Sequence, residues 1–198
     1  ERKHEKLVAV FKAANTFGEI AKEYIDKQVA QGQADTTTQK ANWLGAAGTE
    51  CTWQGIQCDE TQSNVIYVEL YGNNLDGTLP PAIRNLTKLR SLQVWQNNLR
   101  GALPAEISEL ADLESLFVSS NHFTGTIPSQ WGALKKIKSL YVDGNELTGP
   151  LPAELGDMSA LEELGVSYNA IDGEIPSALS KLTNLRLFEA STNRLTGK

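Results

Sequence analysis

An asparagine recurs every 24 residues along this chain, at Asn73, Asn97, Asn121, Asn145, Asn169 and Asn193, and no other feature constrains its folding as tightly. Gly77, Gly101, Gly125, Gly149, Gly173 and Gly197 keep the same interval, as do Pro80, Pro104, Pro128, Pro152 and Pro176. No insertion disturbs the register. A single unit buries too few apolar side chains to offset the ordering of its own backbone, so the units must share one core by stacking.

The unit beginning at Leu89 shows how each lap is built. Leu92 and Val94 alternate with polar residues at period two, which predicts a short strand. Ile107 and Leu110, three apart after Pro104, predict a turn of α- or 3₁₀-helix that returns the chain. The asparagine column has both a donor and an acceptor to satisfy backbone groups where the chain turns inward, and is expected to form a structural ladder. The glycines are expected to relieve backbone crowding, and the prolines to fix φ at the start of each return.

Composition supports a packed fold and removes several function classes. Hydrophobic residues make up 40% and charged residues 21%, which is globular rather than disordered. A net charge of −6 argues against a nucleic-acid partner. No apolar run approaches the roughly 18–20 residues of a bilayer span, so no direct membrane span is expected in this chain. Cys51 and Cys58 are the two cysteines, read either as reduced core thiols or as a short disulfide loop of an oxidising compartment. With only His4 and His122 besides, the usual four-ligand zinc set is not available, and no metal or other cofactor is expected.

Ahead of the repeats, Leu7, Val10, Phe11, Ala14, Phe17, Ala21, Tyr24 and Ile25 fall at spacings of three and four, predicting an amphipathic helix over residues 5–30, broken near Gly18. Its apolar stripe is expected to cover the end of the first repeat, with Trp43 and Trp53 beneath it. The expected organisation is a cap over residues 1–62 and six 24-residue repeats over residues 63–198, the last incomplete.

Leu-x-x-Leu-x-Leu-x-x-Asn-x-Leu-x-Gly-x-Ile/Leu-Pro, carried by consecutive units from Val65 to Lys198, resembles the plant-type leucine-rich repeat. The Cys51 to Cys58 segment, with Trp53 and Gly55 inside it, resembles the amino-terminal cap of secreted members, among them receptor-kinase ectodomains and polygalacturonase-inhibiting proteins. The resemblance implies an α/β solenoid: a right-handed superhelix with a parallel sheet on the concave face and short helical or 3₁₀ returns on the convex face. It also implies an extracellular, cell-surface or other oxidising lumenal location and a Cys51–Cys58 disulfide.

In such a solenoid, side chains flanking the buried leucines point to the concave face. Tyr67, Tyr71, Trp95, Phe117, Tyr141 and Tyr168, six of the fourteen aromatic residues, fall there. Glu69, Asp143, Glu163 and Glu189 add negative charge, and no Lys or Arg stands in the same columns. Tyr67, Glu69, Tyr71, Trp95, Phe117, Tyr141, Asp143, Glu163 and Tyr168 are the candidate ligand-binding residues. Trp and Tyr favour interface hot spots and also suit sugar rings, while the acidic balance favours a basic, partly apolar partner. The opposing expectation is that aromatic residues simply stack across a parallel sheet.

Other features carry less. Asn85-Leu86-Thr87 is a glycosylation sequon for a secreted chain, and Lys135, Lys136 and Lys138 form a small basic cluster on the return side. Thr78, Thr124, Thr126, Thr148 and Thr196 partly align as a hydroxyl array, interrupted by Asp76, Arg100 and Asp172. No nucleophile with its base, phosphate loop or desolvated carboxylate pair is apparent, so no catalytic residue is expected. The sequence therefore predicts a non-catalytic recognition module for a protein, peptide or polysaccharide. The alternative is a structural or assembly subunit that contacts partners through repeat ends, including the uncapped carboxy-terminal repeat.

Overall fold

The computed structural model describes residues 50–52, 55–73 and 75–197. The expected helix over residues 5–30, Trp43 and Trp53 lie outside the described residues. Strands are numbered β1 to β13 in chain order. β1 (Ile56–Cys58) and β2 (Val65–Glu69) are followed by β3 (Asp76–Gly77), β4 (Ser91–Gln93), β5 (Asn98–Ala102), β6 (Ser115–Phe117) and β7 (His122–Gly125). Then come β8 (Ser139–Tyr141), β9 (Glu146–Pro150), β10 (Glu163–Gly165), β11 (Ala170–Glu174), β12 (Leu187–Glu189) and β13 (Arg194–Thr196).

The even-numbered strands form one sheet in the order β2, β4, β6, β8, β10, β12, all parallel, with β1 added antiparallel beside β2. Each pairs with the next at an offset of 24 residues, as in Leu92 to Leu116 and Leu116 to Leu140. The sequence period is therefore the strand register itself. Leu92, Leu116, Leu140 and Leu164 of these strands point inward and are fully buried.

Each lap then bends into a second sheet that the sequence analysis did not anticipate. The odd-numbered strands from β3 to β13 stack in parallel in chain order. The chain leaves them through the proline and returns in a five-residue 3₁₀ turn, as in Ala105–Glu109 after Pro104 and Ser129–Ala133 after Pro128. The proline φ values, −71° at Pro104 and −65° at Pro128, are those the pyrrolidine ring dictates. Ile107, Trp131 and Leu155 from these turns close the core, and the Trp131 indole N–H donates to the Pro104 carbonyl at 3.0 Å.

In the glycine column the expected crowding holds at two positions, where a Cβ on Gly149 would meet Thr126 Cγ2 at 2.9 Å and one on Gly101 would meet Thr78 Cγ2 at 3.1 Å, but not at Gly125. Gly125 has φ +78°, and a Cβ placed on it would meet nothing closer than 4.0 Å. The left-handed backbone, not lack of room, excludes side chains there.

The asparagine side chains tie successive laps together. Asn121 Oδ1 accepts from the Leu99 amide at 3.0 Å, while its Nδ2 donates to the carbonyls of Val94 and Val118. Asn97, Asn145, Asn169 and Asn193 repeat this pattern with the equivalent residues. At the first turn of the stack, Asn73 Nδ2 donates to Tyr71 O at 3.0 Å. At the amino-terminal end, Cys51 and Cys58 are joined by a disulfide. It ties the 3₁₀ turn Glu50–Thr52 to β1.

Candidate functional site

The outward side chains of the first sheet form a grid in which neighbours along the solenoid lie 24 residues apart. Backbone bonds carry this register past the strand ends: the Gln96 amide donates to Ser119 O and the Ser120 amide to Asp143 O. Tyr71, Trp95, Ser119, Asp143, Ser167 and Ser191 make one column; Glu69, Gln93, Phe117, Tyr141, Gly165 and Glu189 make the next. Tyr67, Ser91, Ser115, Ser139, Glu163 and Leu187 make a third. Not all of these positions face solvent, since Ser91, Gly165 and Ser167 are buried by the larger side chains beside them.

The aromatic residues meet in two pairs. Tyr71 and Trp95 stack with centroids 4.6 Å apart and planes 8° from parallel. Phe117 and Tyr141 stack at 5.2 Å and 9°. At such separations near-parallel rings are in stacking contact, so each pair covers one face of both its members. Tyr67 is half-buried, whereas Tyr168 stands out from the rim with 62% of its surface exposed.

The acidic residues are organised rather than scattered. Glu163 Oε2 accepts hydrogen bonds from Ser139 Oγ and from Tyr141 Oη, both at 3.1 Å. Asp143 Oδ1 accepts from the Ser167 amide at 2.8 Å, and Oδ2 accepts from Ser119 Oγ at 3.3 Å. Gly165 makes room for both: a Cβ there would collide with Asp143 Oδ2 and the Tyr141 ring. Glu69 Oε2 accepts from Gln57 Nε2 at 3.4 Å, and Glu189 is exposed at the far end.

This packing shifts the titration of two of these groups. Burial, opposed by its hydrogen bonds, raises the Asp143 carboxyl above the ordinary Asp value. Burial, aided by the Glu163 hydrogen bond, pushes the Tyr141 phenol up to about 12.

One feature of the rim escaped the sequence reading. Gln96, Ser120, Tyr168 and Thr192 have φ between +52° and +55°, in line with Gly72 and Gly144 at +65° and +61°. The two glycines were the available signal that the whole column is left-handed. An aromatic residue in that conformation is uncommon and strained.

Elsewhere, charges are paired along the stack. Asp112 bridges Lys88 at 3.4 Å and Lys136 at 2.6 Å, Lys138 meets Glu114 at 2.7 Å, and Lys135 Nζ donates to the carbonyls of Gly132 and Asp157. The basic cluster is thus engaged within the fold. His122 meets Glu146 of the next unit at 3.2 Å on the second sheet. Asn85 ends the 3₁₀ turn Pro81–Asn85.

Residues 65–197 match the family described as a leucine-rich repeat region. The chain belongs to the leucine-rich repeat family. Among similar proteins is a probable inactive leucine-rich repeat receptor-like protein kinase of Arabidopsis thaliana, 35% identical over 68 residues. That match covers 34% of this leucine-rich repeat chain and 10% of the kinase, so the chain spans about a tenth of the length of that relative. The structure of the plant peptide hormone receptor RGFR1 in complex with RGF2 superposes with a TM-score of 0.65 at 40% identity, over 66% of this chain and 21% of the receptor. A plant ice-binding protein superposes with a TM-score of 0.74 at 30% identity, over 91% and 57% of the two chains.

Proposed function

We propose that this leucine-rich repeat chain is a non-catalytic recognition module, extracellular or at the cell surface, that binds a protein or peptide on the outward face of its first sheet. The observation that carries the reading is the pairing of Tyr71 with Trp95 and Phe117 with Tyr141 on a face that holds four carboxylates and no cation. Rings that could have been used in the core stand instead where a partner can reach their edges. The similarity to a receptor solved with a peptide hormone supports the same ligand class. The disulfide agrees with an oxidising compartment, and a glycan on Asn85 would fit such a location.

Alanine at Trp95, Phe117 or Tyr141 tests the reading, because all three are surface-facing and their loss should leave the repeats folded. Each substitution is expected to weaken capture of the partner from the protein's own source by roughly tenfold or more. Unchanged capture by the triple variant, with its circular dichroism intact, would refute the proposal.

Ice binding, named for one structural neighbour, draws no support from the second sheet. Its outward threonines are interrupted by the Asp76–Arg100 pair at 3.0 Å and the His122–Glu146 pair at 3.2 Å.

A further inference from the structure

We infer that the first sheet contains a slot for a single guanidinium group, lying over Ser119 between the indole of Trp95 and the carboxylate of Asp143. The inference rests on the recognition reading above and adds the chemistry of one ligand side chain.

The slot follows from the order of residues in one column. Tyr71 covers one face of the Trp95 indole at 4.6 Å. The other face looks toward the next row, where Ser119 is too small to cover it, and the row after that holds Asp143. Adjacent strands lie about 4.8 Å apart, which places Trp95 and Asp143 roughly 10 Å from each other along the stack. A planar group resting about 3.5–4 Å from the indole therefore occupies the Ser119 row.

Asp143 closes the other end. Its Oδ1 is anchored by the Ser167 amide at 2.8 Å, which turns Oδ2 toward Ser119, 3.3 Å from Oγ. A cation over Ser119 would thus have an aromatic face on one side and a fixed carboxylate oxygen on the other. Phe117, on the same strand in the neighbouring column, flanks the position and is held upright by its stack with Tyr141.

The geometry selects arginine over lysine. A guanidinium can lie flat on the indole while its in-plane N–H groups reach the carboxylate, whereas an ammonium is a strongly hydrated point charge without a plane to stack. Charge complementarity extends beyond the slot, since Glu163 and Glu189 lie farther along the same face and no Lys or Arg opposes them. The expected ligand is therefore a peptide or protein loop that presents an arginine near the middle of the sheet.

The test uses acetyl-Gly-Arg-Gly-amide as probe, with its lysine and citrulline counterparts, titrated into the isotopically labelled chain. The arginine peptide is expected to shift the Trp95 indole N–H and the Ser167 amide saturably, with a Kd on the order of 1 mM. Lysine should bind at least about threefold more weakly, and citrulline, which keeps the shape but not the charge, should not saturate.

Ser119→Leu fills the slot while keeping the Trp95 and Asp143 side chains, at the loss of the 3.3 Å Ser119–Asp143 hydrogen bond, and should abolish the shifts. Asp143→Asn provides a second reading by weakening binding about tenfold should Ser119→Leu fail to fold. Equal binding of the three peptides, equal binding to Ser119→Leu, or shifts confined to the second sheet would overturn the slot. These outcomes leave the recognition reading standing, because that reading falls on a different result, partner capture unchanged in the triple alanine variant of Trp95, Phe117 and Tyr141.

Discussion

Tyr141 and Glu163 stand on adjacent strands, and the phenol of the first donates to Oε2 of the second at 3.1 Å. The bond needs the proton on the phenol, and burial together with Glu163 holds that proton until about pH 12. An unfolded tyrosine ionises near 10. The stability contributed by this group is therefore complete below pH 10 and is lost as the pH rises toward 12. A tyrosinate absorbance titration should show one phenol ionising late, and Tyr141→Phe should remove that late component. A wild-type titration with every tyrosine near its ordinary value would contradict the contact.

Asp143 predicts the opposite kind of variant, one that gains stability. Its raised pKa means that the fold prefers the neutral carboxyl, chiefly because the group is half-buried. The ionised form costs stability once the pH exceeds the unfolded value near 3.9, and the full cost applies above the folded value. Asp143→Asn can still accept from the Ser167 amide. It should melt higher than wild type at neutral pH, and the difference should vanish in acid. A variant that melts lower at pH 7 would show that the carboxylate stabilises the fold.

The asparagine ladder predicts a contrast between an asparagine of the 24-residue column and one that stands outside it. Asn121 is buried and bonds to Leu99, Val94 and Val118, so Asn121→Ala orphans buried backbone groups at about 1–3 kcal/mol each. Asn98 is exposed on β5, and Asn98→Ala should change stability by no more than about 0.5 kcal/mol. Chemical denaturation of both variants checks the difference.

The disulfide closes a short loop, with the two cysteines seven residues apart. Chain entropy alone gives it about 2.5 kcal/mol. Because each lap contacts only its neighbours, reduction or Cys58→Ser should loosen β1 and β2 and leave the middle of the stack intact. Hydrogen exchange should accelerate at Ile56–Cys58 and stay slow at Leu140; equal acceleration at both would show a globally cooperative unit instead.

What the sequence revealed and what it hid follow from the one-dimensional character of the fold. Leu92, Asn97 and Pro104 could be assigned because each has a counterpart 24 residues on, and register in a solenoid is sequence period. The second sheet was missed because segments such as Asn98–Ala102 contain a left-handed glycine and too little alternation to read as strands. The burial of Ser91 and Ser167, and the titration of Asp143, depend on how large neighbours lean over small ones. A column position names the face of a residue, but not what covers it. The His122–Glu146 contact was open to anyone who compared successive rows, since its partners are also 24 apart.

The most direct test of the recognition claim is photo-crosslinking from single positions on different faces of the folded chain. A crosslinking amino acid at Gln93 reports on the first sheet, and one at Thr124 on the second. Exposed to an extract of the protein's own source, the Gln93 variant should yield a discrete adduct that disappears when Trp95 and Phe117 are changed to alanine, while the Thr124 variant yields none. Adducts from Thr124 alone, or adducts from Gln93 indifferent to both aromatic substitutions, would contradict the account.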